Sequence, residues 1–170
     1  MTPNQLIEEL HRGIDLFSAL VGHIDDDSAR WRESPERWSL VEIVAHLADE
    51  EREDFRARTR LTLESPDQSW PQIDPQGWIA GRRYQEKSLA ACLDDFQEER
   101  TESVRWLRSL SNPDWSSTHH HPKGGPTTAG FLLANWVAHD LHHIRQIVRW
   151  KHGYLDYRTG DLSLGYAGEW

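Results

Sequence analysis

The sequence predicts an all-α protein built from four helices. Apolar residues recur at alternating spacings of three and four along four segments, which is the period of one face of an α-helix. Helix-start signals precede these segments, stretches rich in proline and glycine separate them, and no strand pattern is convincing. The 170 residues suffice for one domain with a core but are few for two. We therefore predict a single helical-bundle domain over residues 1–170.

The first predicted helix begins after Thr2, which is placed to be its N-cap. Pro3 suits the first helical position, and Gln5 can close a capping box with Thr2. An apolar stripe follows and weakens near residue 25, where we expect the helix to end. The stripe consists of Leu6, Leu10, Gly13, Phe17, Leu20 and Ile24.

The second predicted helix spans about residues 40–60. Ser39 and Glu42 form a capping box, and Trp38 is placed to pack back on the first turn. His46 lies on the apolar side and is expected to point inward. That side is formed by Leu40, Ile43, Val44, Leu47 and Phe55, and the solvated face is assigned to Glu51, Arg52, Arg56 and Arg58.

Residues 64–77 contain several prolines and a glycine, which predict a crossover loop. A third helix is predicted from about residue 78 to residue 110. Its seam keeps a seven-residue rhythm, and Arg100 is the charged exception on that seam. An unpaired buried guanidinium is costly, so we expect Arg100 to pair with a carboxylate of the second helix. Glu50 and Asp54 are the first choices.

A second breaker-rich loop is predicted over residues 111–126, and a fourth helix over about residues 128–152. Thr127 or Thr128 can cap this helix, and Gly153 is expected to stop it. The tail that follows has no period and is predicted to be irregular. The inward seam of the helix is formed by Leu132, Trp136, His139, His143, Gln146 and Trp150.

Composition restricts the function classes. The 28 Asp and Glu residues outnumber 19 Lys and Arg residues, and the resulting formal charge of −9 would repel nucleic-acid phosphates and anionic membrane surfaces. We expect neither partner. Cys92 is the single cysteine, the first residues lack a secretory pattern, and no apolar run is long enough to span a membrane. These features predict a cytoplasmic protein.

Three histidines on two predicted helices form a candidate metal site. His139 and His143 are spaced i, i+4, which puts both rings on one face of a helix. Such a pair can also be packed and hydrogen-bonded without a metal. His46, inward-facing on another helix, could converge on the same point and complete a three-imidazole site with an open coordination position.

The sequence resembles the DinB-like (damage-inducible, YfiT-like) superfamily. The resemblance rests on residues 38–42 (WSLVE), 45–47 (AHL) and 139–146 (HDLHHIRQ). It implies a four-helix bundle with a long crossover loop, in which His46, His139 and His143 are the metal ligands. Members of this superfamily are associated with divalent metals and include thiol-dependent S-transferases and a mycothiol-dependent isomerase. The resemblance supports the site more strongly than the reaction, because one fold hosts several chemistries.

Carboxylates near His46 are candidates for proton transfer. Glu50 lies one turn after His46, where it could orient an imidazole N–H or accept a proton from water, so we assign it as the candidate catalytic residue. Asp49 and Asp54 are alternatives, although Asp49 in particular is expected on the solvated acidic face.

Two other groups of histidines rival this assignment. His142 could replace His143 by spacing, but it lies off the seam of the fourth helix. The tract His119, His120 and His121 has the composition of a metal-binding cluster, but a proline-flanked loop should leave it exposed, lining the site entrance at most.

The expected cofactor is a divalent ion such as zinc, nickel or iron, because imidazole suits all three. Such a site could activate a low-molecular-weight thiol for an S-transferase reaction, which the resemblance favours, or activate water for hydrolysis of an amide or ester. Either reaction implies a small-molecule substrate. A metal-stabilised binding protein without turnover is the third alternative.

A second apolar stripe on the fourth helix, beside the histidine seam, allows two predictions about oligomeric state. The stripe either packs on the first helix within the chain or builds a homodimer. It consists of Leu133, Val137, Ile144 and Val148.

Overall fold

Helices make up most of the computed structural model, which describes residues 1–122 and 124–170. A short antiparallel hairpin precedes the last helix. The helices are α1 (Pro3–Val21), α2 (Asp26–Ala29), α3 (Leu40–Glu50), α4 (Arg56–Glu64), α5 (Pro75–Gly81), α6 (Leu89–Ser109) and α7 (Ala129–Thr159), and the strands are β1 (Thr118–His121) and β2 (Gly125–Thr128).

A single π-helical turn, Glu51–Phe55, joins α3 to α4, so one helix runs without interruption from Leu40 to Glu64. This helix, α1, α6 and α7 form the four-helix bundle. Helix α3 packs on α6, and α1 packs on both α6 and α7. The apolar side chains between them form the core, and the predicted fold class is confirmed.

Local capping chemistry starts three of the long helices where the sequence predicts. Thr2 and Ser39 each form a full capping box, with Gln5 and Glu42 as their partners, and the Thr128 hydroxyl accepts a hydrogen bond from the Phe131 N–H. Each such cap contributes about 1 kcal/mol because it satisfies N–H groups that the first turn leaves without partners.

Two helix boundaries differ most from the prediction. Helix α6 begins at Leu89, capped by Ser88, and the residues from about 78 instead belong partly to the short helix α5. Helix α7 continues through Gly153 to Thr159, so this glycine does not stop it. Trp31 packs against α7 here, and a Cβ added to Gly153 would lie 3.3 Å from its ring. Gly153 therefore serves close packing.

The predicted loop over residues 111–126 contains most of the hairpin, which is a correction. Strand β1 pairs with β2 in antiparallel register, with Thr118 opposite Thr128 and His121 opposite Gly125. Four-residue strands of the sequences THHH and GPTT carry no apolar alternation, so only their pairing reveals them. Residue 123 lies outside the described residues.

The second stripe of α7 packs within the chain. Leu133 is buried with Ile7 and Leu10 of α1, Val137 packs against the same cluster, and Ile144 packs against the rest of the core. The intrachain alternative accounts for these contacts, and the homodimer stays a prediction. In the described part of the chain, no helix has the length and apolar character that crossing a membrane requires.

Candidate metal centre

Helices α3 and α7 bring three histidine rings together inside the bundle. His46 comes from α3, and His139 and His143 come from successive turns of α7. Each ring offers one nitrogen, and these three nitrogens lie within 4.8 Å of one another. His46 and His143 are buried and His139 is nearly so. The convergence follows from i, i+4 spacing on α7 and from the inward face of α3.

Gln146 fixes the orientation of the His143 ring. The His143 Nδ1–H donates to Gln146 Oε1 over 2.7 Å, which leaves the lone pair on Nε2. That nitrogen lies 3.1 Å from Nε2 of His139. An imidazole held by a hydrogen bond on its far nitrogen is the arrangement found in metal-ligating histidines.

All three histidines are neutral in this setting. Burial lowers the pKa of His46 to about 3, of His139 to about 2 and of His143 to about 4. The other histidines lower the pKa of His139 further, and so does the positive charge of Arg100. Neutral imidazole is the protonation state that binds a metal, because the lone pair is free.

Aromatic rings wall the cluster. Trp38 meets the His46 ring edge-on at 4.9 Å between centroids and lies parallel to His143 at 6.4 Å. Phe55, at the end of the π turn, contacts His139 at 4.9 Å and stacks on Trp136. These rings exclude water from the sides of the site and strengthen electrostatic interactions within it.

Glu50 lies beside His46, as the sequence predicts for the candidate catalytic residue. Its Oε1 is 4.0 Å from His46 Nδ1, and both atoms are buried without a hydrogen-bond partner among the described residues. Burial and the neighbouring Asp54 carboxylate raise the pKa of Glu50 to about 8. Asp54 is tied to Arg58 at 2.7 Å. A buried carboxylate oxygen and a buried imidazole nitrogen, both without partners, are costly unless a further group joins them.

Arg100 is buried on the seam of α6, as predicted, but its partners differ from the first choices. Its Nε lies 2.9 Å from Oε2 of Glu51, not from Glu50 or Asp54. Its two Nη atoms donate to the two carboxylate oxygens of Asp140 over 2.7 and 2.8 Å. A fork of two parallel hydrogen bonds is the strong geometry of an arginine–carboxylate pair. Trp136 Nε1 also donates to Glu51.

Two acidic residues assigned to the solvated face are buried instead. Glu51 is 1% exposed because Arg100 neutralises it inside the bundle, although burial still raises the pKa of Glu51. Asp49 accepts a hydrogen bond from the Tyr84 hydroxyl and pairs with Arg82 at 2.8 Å. Arg82 and Tyr84, which contact Asp49, and Arg100, which contacts Glu51, lie 33 to 49 positions further along the chain, beyond the reach of helix periodicity.

The rival histidines lie elsewhere. His142 is exposed on α7 next to the cluster, and the cluster of three potential ligands does not include it. His119 is buried in the hairpin, where its ring stacks on Trp70 at 4.3 Å and its Nδ1 lies 2.7 Å from the Pro66 carbonyl oxygen. The expectation that the whole tract is exposed is therefore wrong for His119, while His120 is exposed.

Comparison with known proteins identifies the family. The sequence model of the DinB superfamily matches residues 9–147, which include all three histidines and Glu50. The chain belongs to the DinB superfamily. Among solved structures, this DinB protein is similar to YfiT from Bacillus subtilis, described as a probable metal-dependent hydrolase with an unusual four-helix bundle topology. No curated protein sequence matches the chain significantly.

The likeness to YfiT extends over the whole fold. The TM-score is 0.78 at 21% sequence identity, and the alignment covers 93% of this chain and 87% of YfiT. At this identity the likeness establishes the fold of the DinB chain. Its chemistry has to be inferred from the chain's own residues.

The residues of this DinB protein fit a divalent ion. Three neutral imidazoles supply the nitrogen ligands that zinc, nickel and iron accept. The buried Nδ1 of His46 and Oε1 of Glu50 are without partners in the described part of the chain, as expected of groups that a bound cation and its ligands would satisfy.

Proposed function

We propose that this protein is a metal-dependent hydrolase acting on amide or ester bonds of small molecules. One observation carries the proposal: a three-histidine cluster and a buried carboxylate with a raised pKa lie side by side in the bundle. The description of YfiT as a probable metal-dependent hydrolase supports the same reaction class. We place the protein, like its small-molecule substrate, in the cytoplasm.

His46, His139 and His143 are the proposed ligands of the ion, and the metal is zinc, nickel or iron. A divalent ion in such a site supplies Lewis-acid chemistry, which activates water and polarises a carbonyl oxygen. Gln146 holds the His143 ring with its Nε2 lone pair directed at the cluster. Trp38 and Phe55 restrict the access of bulk water.

Glu50 is the proposed general base. A base works best when its pKa lies near the working pH, and burial brings the pKa of Glu50 to about 8. Its Oε1 is directed towards the histidine cluster rather than towards solvent. Glu50 therefore accepts a proton from the attacking water and returns it to the leaving group. Asp54, which raises the pKa of Glu50, is tied to Arg58 and is the weaker candidate.

A low-molecular-weight thiol transferase is the second candidate reaction, and it rests on the family resemblance alone. The protein's own thiol cannot serve, because burial raises the pKa of Cys92 to about 11. A transferase would need an added thiol and would depend little on Glu50. The non-catalytic alternative needs neither.

The test is a substrate panel on protein purified without a histidine tag, freed of metal with a chelator and reloaded with zinc, nickel or ferrous iron. We expect hydrolysis of activated esters or amides that appears on loading and is independent of added thiol. Thiol-dependent loss of an electrophilic substrate would select the transferase. Metal binding without turnover on either panel would contradict both enzyme proposals.

A further inference from the structure

The buried ion cluster of Arg100, Glu51 and Asp140 lies directly behind the candidate metal centre. Glu51 follows Glu50 in the chain, and Asp140 follows His139. Arg100 therefore holds the immediate chain neighbour of a proposed ligand and that of the proposed base. The guanidinium joins α6 to the π turn after α3 and to α7. It also contacts α1, because Arg100 Nη1 donates to the Leu10 carbonyl oxygen over 3.1 Å.

A π turn lies where one helix serves both sites. Consecutive residues of a helix point about 100° apart, so Glu50 and Glu51 can face different partners. The π turn begins at Glu51 and shifts the helix by one residue. Glu50 then faces the histidines while Glu51 faces Arg100, and both are buried. Such turns occur frequently at functional sites.

A buried ion cluster is a poor source of stability by itself, because desolvation offsets much of the attraction between the charges. Arg100 is 1% exposed and meets two carboxylates, so this cost applies in full. What the cluster does provide is directional constraint: Nη1 and Nη2 of Arg100 donate to defined acceptors, and Nε lies 2.9 Å from Glu51 Oε2.

Gly13 on α1 makes room for the cluster. A Cβ at this position would lie 2.9 Å from Arg100 Nη1 and 3.2 Å from Asp140 Oδ2. Arg100 cannot move aside freely, since its other contacts fix it. A glycine inside a helix costs roughly 0.5–1 kcal/mol relative to alanine. Gly13 lies where α1 passes the charged groups, and its missing side chain leaves room for them.

We propose that the Arg100–Glu51–Asp140 cluster, admitted by Gly13, is a positioning device that sets the direction of His139 and Glu50 at the metal centre. This inference rests on the proposed metal site but not on the reaction. Arg100 is a positioning residue that acts through its partners, and it touches neither metal nor substrate.

The test measures Co²⁺ binding, which reports both affinity and, through the visible absorption spectrum, the ligand geometry. Gly13→Ala adds a methyl group that crowds Arg100 and Asp140 and changes no charge and no proposed ligand. Asp140→Asn keeps the side-chain shape but replaces one acceptor of the fork with a donor that faces the guanidinium. Gly81→Ala is the matched control, because nothing lies within 4 Å of a Cβ added there.

We expect Gly13→Ala and Asp140→Asn to remain helical by circular dichroism, to bind Co²⁺ about tenfold more weakly and to show an altered spectrum. Gly81→Ala should match the wild type. Arg100→Lys, which keeps the charge but loses the fork, should share the altered spectrum.

Wild-type Co²⁺ affinity and spectrum in both variants, with only a lower melting temperature, would overturn the inference and make the cluster purely structural. If one variant does not fold, the other decides, and failure of all cluster variants to fold would likewise reduce the cluster to a folding requirement. A wild-type protein that does not bind Co²⁺ would overturn the inference together with the metal site. A wild type that binds Co²⁺ without hydrolysing any substrate removes only the proposed hydrolase.

Discussion

Two groups of histidines in this protein show how backbone geometry decides what the same side chain does. On α7, His139 and His143 stand one helical turn apart and both face His46, so three ring nitrogens come within 4.8 Å of one another. On β1, consecutive residues alternate between faces, so His119 is buried against Trp70 while His120 faces solvent. Adjacent histidines of the hairpin, His119 and His120, thus face different surroundings, whereas His46 and His139, 93 positions apart along the chain, converge.

The surroundings of the two groups differ as well. In the histidine cluster of α3 and α7, the buried Nδ1 of His46 has no hydrogen-bond partner among the described residues and lies near the Glu50 carboxylate, which suits a cation. The Nδ1 of His119 lies 2.7 Å from the Pro66 carbonyl oxygen, and its ring stacks on Trp70, whose ring centroid is 5.1 Å from the Arg58 guanidinium. His119 Nε2 also lacks a hydrogen-bond partner among the described residues, but the hairpin histidines belong to no group of three potential ligands there. Composition alone therefore overstates the hairpin as a metal site.

The largest expected difference between the groups is in metal affinity. His143→Ala removes a proposed ligand, so we expect Zn²⁺ to bind more than about 100-fold more weakly, since loss of a supporting residue alone costs about 10- to 100-fold. His120→Ala should leave the affinity unchanged. Isothermal titration calorimetry on both proteins measures this. Equal affinities in the two variants would move the metal away from the helical cluster.

Glu50→Gln tests whether the helical cluster is catalytic. The amide keeps the size of the side chain but cannot accept the proton, so we expect kcat to fall about 100-fold while Zn²⁺ affinity changes little. Steady-state hydrolysis by the metal-loaded protein gives kcat, and calorimetry gives the affinity. Full activity in Glu50→Gln would exclude Glu50 as the base.

His119→Ala should affect stability instead. The change removes a stacking interaction with Trp70 and a hydrogen bond to the Pro66 carbonyl. We therefore expect the free energy of unfolding to fall by about 2 kcal/mol. His120→Ala should stay within about 0.5 kcal/mol of the wild type. Urea unfolding gives both values. A loss of Zn²⁺ affinity in His119→Ala would contradict a purely structural hairpin histidine.

The smallest expected effect belongs to Gln146→Leu. The substitution removes the acceptor that orients His143, so we expect metal binding to weaken about tenfold with all three ligands intact. Gln68→Leu, at an exposed loop position, is the control. If both variants bind Zn²⁺ as tightly as the wild type, packing alone orients His143.

Features governed by neighbouring residues were predictable from the sequence. Thr2, Ser39 and Thr128 cap helices because their hydroxyls reach N–H groups within the next turn. The inward direction of His46 and His143 likewise follows from helix periodicity, and Arg100 is buried where the seam places it. Four helices, each with one apolar face, bury those faces by packing together as a bundle.

Features that depend on distant partners were not predictable. Glu51 carries no local sign of burial, and only the arrival of Arg100 from α6 makes its position tolerable. The hairpin depends on pairing between two strands that individually lack a strand pattern. The sequence predicted that Arg100 pairs with Glu50 or Asp54. That prediction assumed a uniform α-helix, whereas the π turn shifts the inward face of the helix by one residue.

That π turn makes the second bundle helix sensitive to its length. Deleting one residue between Glu50 and Arg56 would restore regular α-helical spacing and rotate all that follows by about 100°. Phe55 would leave His139 and Trp136, and the buried hydroxyls of Thr59 and Thr62 would turn out of the interior. The site therefore depends on a count of residues as well as on their chemistry, and an insertion or deletion here is more damaging than most substitutions.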